Sequence, residues 1–220
     1  MRGAAFIGGE GPDPQSGRAA LGPVDLIVAA DSGLMAVEEW GLECDWIVGD
    51  MDSLDDRGRL SHYPADRVIS YPEDKDYTDT ELAVALLREK GCDDIVLVGG
   101  GGGRLDHSLA LAALFERDSV PRRWITARED VRCIEAGAAA GGEGDGGAAL
   151  RVSIPPLSLV SVFPMGSGPW RARSEGLKWP LDDLPWKRGF FGISNVSVTG
   201  TFSISAAAGR FLVVLPLVPS

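Results

Sequence analysis

The sequence has few cysteines and no long hydrophobic segment. Its three cysteines, Cys44, Cys92 and Cys133, lie far apart and are odd in number. This excludes a disulfide scaffold and favours a reducing compartment. No apolar run reaches the ~18 residues that span a bilayer, and no long apolar stretch follows the first residues as it would in a secretory signal. We therefore expect a cytoplasmic protein without a membrane partner.

Basic residues are also scarce, with 21 Lys and Arg against 32 Asp and Glu. The imbalance lies in residues 1–121, whose net charge is −14, whereas residues 122–220 carry +3. A strongly acidic unit repels polyanions, so we expect no nucleic-acid partner. Excess carboxylate suits metal ions, organic cations, or phosphates reached through a metal, although it also serves solubility. The asymmetry indicates two units with different roles.

The order of apolar segments predicts two kinds of fold. In residues 1–121, short buried-strand patterns alternate with amphipathic segments, which predicts an open, mainly parallel sheet with helices on both faces. In residues 122–220, short strand patterns separated by Pro and Gly predict a C-terminal antiparallel β-sandwich. Examples of strands predicted for this second domain are 123–126, 151–154, 159–163, 194–198, 201–205 and 211–215.

Carboxylates follow the predicted strands of the first domain. The carboxyl ends of parallel strands share one edge of a sheet, where ligands bind. Carboxylates gathered there repel one another unless a cation lies among them. Each one alone could instead be a helix N-cap or a turn residue. The residues in these positions are Asp31, Asp50, Asp52, Asp74, Asp76, Asp79 and Asp106.

A helix start and a glycine run add local detail. Thr78 and Glu81 have the spacing of a capping box, which predicts a helix that ends at Gly91. Gly99–Gly103 lies between a predicted strand and a helix, where bare N–H groups can approach a phosphate, and Arg104 can donate two hydrogen bonds to phosphate oxygens. Gly141–Gly147 is interpreted as a mobile loop without chemistry.

Six segments together resemble the thiamine pyrophosphokinase (thiamine diphosphokinase) family, in order and in approximate spacing. They are 30–33 (ADSG), 49–53 (GDMDS), 75–79 (KDYTD), 102–107 (GGRLDH), 176–181 (GLKWPL) and 192–195 (GISN). The resemblance implies an N-terminal α/β domain and a C-terminal β-sandwich, in a homodimer with active sites between subunits. It also implies an ATP- and Mg²⁺-dependent transferase that moves pyrophosphate from ATP to the hydroxyethyl oxygen of thiamine, releasing AMP.

The resemblance also implies roles for individual residues. Mg²⁺ would be held by Asp50, Asp74, Asp76 and Asp106, with Asp52 in support. The nucleotide side would include Asp31, Thr78, Asp79, Gly102, Gly103 and Arg104, and the thiamine pocket would include Ser194 and Asn195. The candidate catalytic residues are Asp76, Asp79 and Asp106. The family often has Asn where this chain has Leu111.

Two other functional classes stay open from the residues. A different Mg²⁺-dependent nucleotide transferase or hydrolase would keep the carboxylates but would not need Ser194 and Asn195. A non-catalytic nucleotide- or thiamine-binding module would be expected to lose some carboxylates, and all of them are present.

Overall fold

The computed structural model describes residues 1–52, 54, 56–137 and 149–218. The chain divides into two compact units. The first comprises Met1–Leu114 with Arg123–Arg128, and the second comprises Phe115–Arg122 with Glu129–Val218. The division into a catalytic domain at 1–121 and a thiamine-binding domain at 122–220 stays a prediction.

The first unit is built on a parallel sheet with the strand order β6-β5-β1-β2-β3-β4. Its central strands are almost entirely buried, as is usual for parallel strands covered on both faces. In chain order the described strands of this unit are β1 (Arg2–Ile7), β2 (Leu26–Ala30), β3 (Trp46–Gly49), β4 (Val68–Ser70), β5 (Asp94–Gly99) and β6 (Arg123–Ile125).

Helices connect these strands. The first helix has Pro14 at its start, and the Asp13 carboxylate accepts hydrogen bonds from the N–H groups of Gln15 and Ser16. Two short 3₁₀ segments, Arg57–His62 and Ala65–Arg67, precede β4. The described α-helices are α1 (Pro14–Leu21), α2 (Gly33–Glu39), α3 (Asp79–Glu89) and α4 (Leu105–Leu114). No helix of the described residues is long and apolar enough to cross a membrane.

The second unit contains two antiparallel sheets. One has the order β11-β9-β13-β7 and the other β10-β12-β8. Their described strands are β7 (Glu129–Glu135), β8 (Leu150–Ser153), β9 (Leu159–Met165), β10 (Arg171–Glu175), β11 (Gly192–Val196), β12 (Thr201–Ala208) and β13 (Arg210–Pro216).

The core of the second unit joins its two sheets. Val160, Val162 and Phe211 come from one sheet, while Phe202 and Ile204 come from the other, and all five lie in one buried cluster. Alternate residues of each strand supply this cluster, which is the packing of a sandwich. The predicted fold class, a mainly parallel α/β unit followed by an antiparallel sandwich, is therefore confirmed.

Some elements differ from the sequence-based expectation. The strand predicted at 123–126 for the sandwich is instead β6, which pairs parallel to β5 in the first unit. The chain between them contains α4, and parallel neighbours require such a crossover connection. The pattern also missed α1, β7 and β10. The predicted loop Gly141–Gly147 lies outside the described residues.

Candidate active site

Three of the predicted carboxylates lie together at the carboxyl ends of neighbouring strands. Asp31 follows β2, Asp50 follows β3, and Asp79 begins α3. One carboxylate oxygen from each lies within 4.8 Å of the others. Asp31 is buried, with 7% of its surface exposed, while Asp50 and Asp79 are partly exposed. We call these three residues the carboxylate cluster.

Gly49 at the end of β3 makes this close approach possible. Its φ is +141°, a conformation that favours glycine. A Cβ atom on Gly49 would lie 3.1 Å from Asp79 Oδ1 and 3.2 Å from Asp31 Cβ. The Asp31 N–H donates to the Val48 carbonyl at 2.9 Å, which ties the end of β2 to β3. The absence of a side chain at Gly49 therefore gives the cluster its space.

Lys75 places a positive charge inside the cluster. Its Nζ lies 3.0 Å from Asp50 Oδ2 and 3.1 Å from Asp79 Oδ1, and only 13% of its side chain is exposed. The hydrogen bond from Lys75 holds the pKa of Asp50 below its usual range. Burial lowers the pKa of Lys75, but the hydrogen bonds to Asp50 and Asp79 outweigh it, so the pKa is raised. The lysine is thus held charged between two carboxylates.

The remaining carboxylates of these loops are more exposed. The Asp52 N–H donates to Asp50 Oδ1 at 3.1 Å, which folds this loop back on itself. The side chains of Asp52, Asp74 and Asp76 face solvent and are not part of the cluster. The predicted metal set thus has Asp50 in the cluster, while ligation by Asp74, Asp76 and Asp106 stays a prediction.

Two glycine-containing loops, one after β1 and one after β5, meet where the strand connections change direction. The chain leaves β1 towards β2 but leaves β5 towards β6 on the opposite side, and ligands of open α/β sheets bind at such a point. Glu10 and Gly101 exchange backbone hydrogen bonds of 2.6 and 2.9 Å there. Gly102 and Gly103 both have positive φ, and a Cβ on Gly103 would meet no atom within 4 Å. The predicted phosphate loop therefore exposes backbone at this position.

Arg104 and Asp106 form an exposed ion pair beside this loop. Arg104 Nε donates to Asp106 Oδ1 at 3.1 Å, and Nη2 donates to Oδ2 at 2.5 Å. The guanidinium holds the pKa of the Asp106 carboxyl below its usual range. Leu111, which stands where the family often has Asn, is buried, and Gly100 leaves room for its side chain.

Thr78 begins α3 with the predicted capping box. The Glu81 N–H donates to Thr78 Oγ1 at 3.3 Å, and the Thr78 N–H donates to Glu81 Oε2 at 2.8 Å. The prediction of this cap is confirmed. It fixes the first turn of the helix, and with it the backbone of Asp79. A role of Thr78 in nucleotide binding stays a prediction.

Asn195 in the second unit is buried and holds a neighbouring loop. Its Nδ2 donates to the Trp179 carbonyl at 2.6 Å, and its Oδ1 accepts from the N–H of Trp179 at 3.1 Å. The Trp179 side chain is half exposed, with Lys178 Nζ 4.5 Å from its ring centroid. Ser194 is exposed in a left-handed conformation, and its N–H donates to Ser161 Oγ at 3.1 Å. Asn195 therefore positions an exposed aromatic ring, while direct thiamine contacts stay a prediction.

Sequence reasoning missed Lys75 and Gly49 as parts of the first site. The four-residue separation of Lys75 and Asp79 is a known spacing for ion pairs on a helix. Lys75 lies before the start of α3, however, so the loop conformation determines its partner. Gly49 directly precedes Asp50, and its positive φ shows only in the backbone.

The donor chemistry of the cluster fits a hard divalent cation. Mg²⁺ prefers oxygen ligands and is usually bound by one or two carboxylates together with substrate phosphates. The cluster offers three carboxylates, one of them buried. The glycine loop follows β5, another strand of the same parallel sheet. This arrangement suits chemistry on a metal-bound phosphate ester.

Two family models match the chain. The catalytic domain of thiamin pyrophosphokinase matches residues 19–120, and its vitamin B1 binding domain matches residues 152–210. No curated protein sequence matches the chain.

Solved structures of similar fold cover nearly the whole chain. A thiamine pyrophosphokinase from Bacillus subtilis has a TM-score of 0.76 at 21% identity, over 98% of this chain and 99% of that chain. One from Geobacillus thermodenitrificans has a TM-score of 0.71 at 24% identity, over 98% and 97%. One from Candida albicans has a TM-score of 0.68 at 15% identity, over 98% and 89%. At these identities the likeness establishes the fold.

Proposed function

Because the chain belongs to the thiamin pyrophosphokinase family, we propose that it transfers the pyrophosphoryl group of ATP to thiamine. The hydroxyethyl oxygen of thiamine forms a bond to the β-phosphorus of ATP. The bond from that phosphorus to the α,β-bridging oxygen breaks, the bridging oxygen leaves with AMP, and the alcohol gives up its proton. The products are thiamine diphosphate and AMP.

The observation that carries this proposal is the carboxylate cluster at the carboxyl ends of a parallel sheet, in a chain that matches both parts of the family. Phosphoryl-type transfer depends on charge neutralisation and alignment more than on a covalent intermediate. Carboxylates and a glycine loop that follow strands of one parallel sheet would supply the groups for both.

Asp50 would hold Mg²⁺, with Asp31 and Asp79 beside it in the cluster. Ligation by Asp74, Asp76 and Asp106, and support from Asp52, belong to the same proposal. When bound, the metal neutralises charge on the transferred phosphoryl oxygens.

The protein's own groups bind and orient the nucleotide. Gly102 and Gly103 present backbone N–H groups near a phosphate, and Arg104 turns from Asp106 to phosphate oxygens, to which it can donate two hydrogen bonds. A carboxylate near the alcohol would accept its proton, and the candidates are Asp76, Asp79 and Asp106.

Thiamine binding is assigned to the second unit. Thiamine contains a flat, positively charged thiazolium ring, and an exposed indole ring stacks well on such a ring. Trp179 is half exposed, and Asn195 fixes its backbone through two hydrogen bonds. Ser194 would contribute from the adjacent position of β11.

We include a homodimer in the proposal. Leu159, Phe191 and Ile193 expose 60%, 49% and 59% of their surfaces on and beside β9 and β11. Neighbouring apolar side chains of this kind mark a protein interface. The site would then be completed by two subunits. Location in the cytoplasm, expected from the separated cysteines, is part of the same proposal.

Omission of single substrates tests the function. We expect thiamine diphosphate only when thiamine, ATP and a divalent metal are all present with the protein. Nucleotide breakdown without thiamine would indicate a hydrolase or another transferase. Binding of ATP or thiamine without turnover would indicate a binding module.

A further inference from the structure

Lys75 is the basic side chain inside the carboxylate cluster. Its Nζ contacts Asp50 and Asp79 at 3.0 and 3.1 Å, and the oxygens of these residues lie within 4.8 Å of an Asp31 oxygen. The side chains of Lys75 and Asp50 are only 13% and 14% exposed. Water therefore screens this ammonium weakly from any cation that enters the cluster.

A cation entering the cluster meets two opposing effects. Three carboxylates attract it, whereas the ammonium repels it and competes for the same oxygens of Asp50 and Asp79. Nucleotide phosphates change the balance, because they offer oxygens to the metal and a new anionic partner to the lysine.

We propose that Lys75 prevents the carboxylate cluster from binding a free divalent cation, so that the metal enters together with nucleotide phosphates. The inference rests on the proposed function in one respect, which is that a nucleoside triphosphate brings the metal. The lysine thereby couples metal occupancy to nucleotide occupancy.

The test is a titration of the whole protein with Mn²⁺ alone, followed by the electron paramagnetic resonance signal of the free ion. Removal of the ammonium leaves three carboxylates without their counter-ion. We therefore expect Lys75→Met to lower the Kd for Mn²⁺ at least ~10-fold, whereas Lys75→Arg, which keeps the charge, stays close to the unmodified protein.

Lys90→Met is the matched control, because it makes the same change in net charge. Lys90 lies just beyond the last residue of α3, whereas Asp79 is the first. Eleven residues of helix separate them by about 16 Å, which exceeds the Debye length of about 8 Å at physiological salt. We expect Lys90→Met to leave the Kd for Mn²⁺ unchanged.

A third variant locates the gain. Asp31→Asn added to Lys75→Met should remove most of the increase in Mn²⁺ affinity, because it takes away one carboxylate of the cluster. A Kd for Lys75→Met that matches Lys90→Met would overturn the proposal. So would a gain that persists in the double variant, because the tighter site would then lie elsewhere.

Folding is monitored by circular dichroism in the same samples. A Lys75→Met protein that folds only with millimolar Mn²⁺ supports the proposal, because the metal then replaces the ammonium. One that stays unfolded with Mn²⁺ contradicts it, because the lysine is then purely structural.

Activity provides a separate readout. If the proposed function holds, free Mg²⁺ in excess of ATP should inhibit Lys75→Met more strongly than the unmodified protein. Absence of turnover in every variant would refute the proposed function, while the Mn²⁺ titration would still decide the role of Lys75.

Discussion

Gly49 has a backbone conformation that favours glycine, and its missing side chain leaves space for the carboxylate cluster. We expect Gly49→Ala to lower the free energy of unfolding by about 1–3 kcal/mol, because alanine is strained at φ +141°. Turnover should fall as well, since the new Cβ displaces Asp79 or Asp31. Denaturant unfolding and a turnover assay measure the two effects.

Gly91→Ala is the control for this substitution. Its φ is +89°, but an added Cβ would meet no atom within 4 Å. The Gly91→Ala protein should have a lower free energy of unfolding and an unchanged turnover. Equal turnover in the two variants would show that Gly49 does not shape the site.

Asp106 is the predicted ligand that is paired with Arg104. We expect Asp106→Asn to lower turnover at least ~10²-fold. The variant would lose a ligand of the metal, and the metal neutralises negative charge on the transferred phosphoryl group. Thermal unfolding should barely change, since the two side chains are 72% and 60% exposed. Asp66→Asn, an exposed carboxylate in the 3₁₀ turn Ala65–Arg67, should leave both quantities unchanged. Near-normal turnover of Asp106→Asn at saturating Mg²⁺ would exclude Asp106 as a ligand.

The cysteines provide a test of pH dependence. Burial raises the pKa of Cys44 to about 12 and that of Cys133 to about 11. Because only the thiolate reacts, we expect alkylation of these two residues at pH 8 to be at least ~10²-fold slower in the folded than in the unfolded protein. Their rates should rise with pH until each folded pKa is reached. Fast labelling of Cys44 at pH 8, located by peptide mass, would contradict this burial.

Single residues also show what the sequence could and could not predict. Asp31, Asp50 and Asp79 follow strands or begin a helix, so the shared edge of a parallel sheet predicted their proximity. Asp74 and Asp76 precede the same helix, yet their side chains face solvent. The direction of a side chain in a loop depends on local backbone angles, which spacing alone does not determine.

At the scale of secondary structure, α3 begins at the loop that carries Lys75. Thr78→Ala removes the acceptor for the Glu81 N–H, so we expect a loss of about 1 kcal/mol in the free energy of unfolding. Thr78→Ser keeps this acceptor and should restore stability. Chemical denaturation compares the three proteins, and unchanged stability of Thr78→Ala would show that the cap contributes nothing.

Helices and strands were predictable where the signal lies within the segment itself. The cap of α3 and the strands β1 to β5 have clear sequence signals, and the structure contains all of them. β6 looked like the sandwich strands that follow it, because a short apolar run does not reveal whether its partner is parallel. β10 has the sequence RARSE, with a charged residue at every second position. Only one of its side chains is buried, so the segment lacks the apolar residues by which a strand is recognised.

The whole molecule is proposed to act as a homodimer. Light scattering at micromolar concentration should give twice the monomer mass. If two subunits complete each site, mixing Asp76→Asn with Ser194→Trp should restore activity, because each mixed dimer contains one intact site. Tagged subunits establish that exchange has occurred. A monomer, or exchanged dimers without activity, would contradict the shared site.

The central claim is that one pyrophosphoryl group moves intact from ATP to thiamine. The most direct measurement is a time course in which mass spectrometry quantifies all nucleotide and thiamine species with Mg²⁺ present. We predict one AMP for each thiamine diphosphate throughout, without accumulation of thiamine monophosphate. Formation of ADP together with thiamine monophosphate would contradict the account, because it would mean that a single phosphoryl group is transferred.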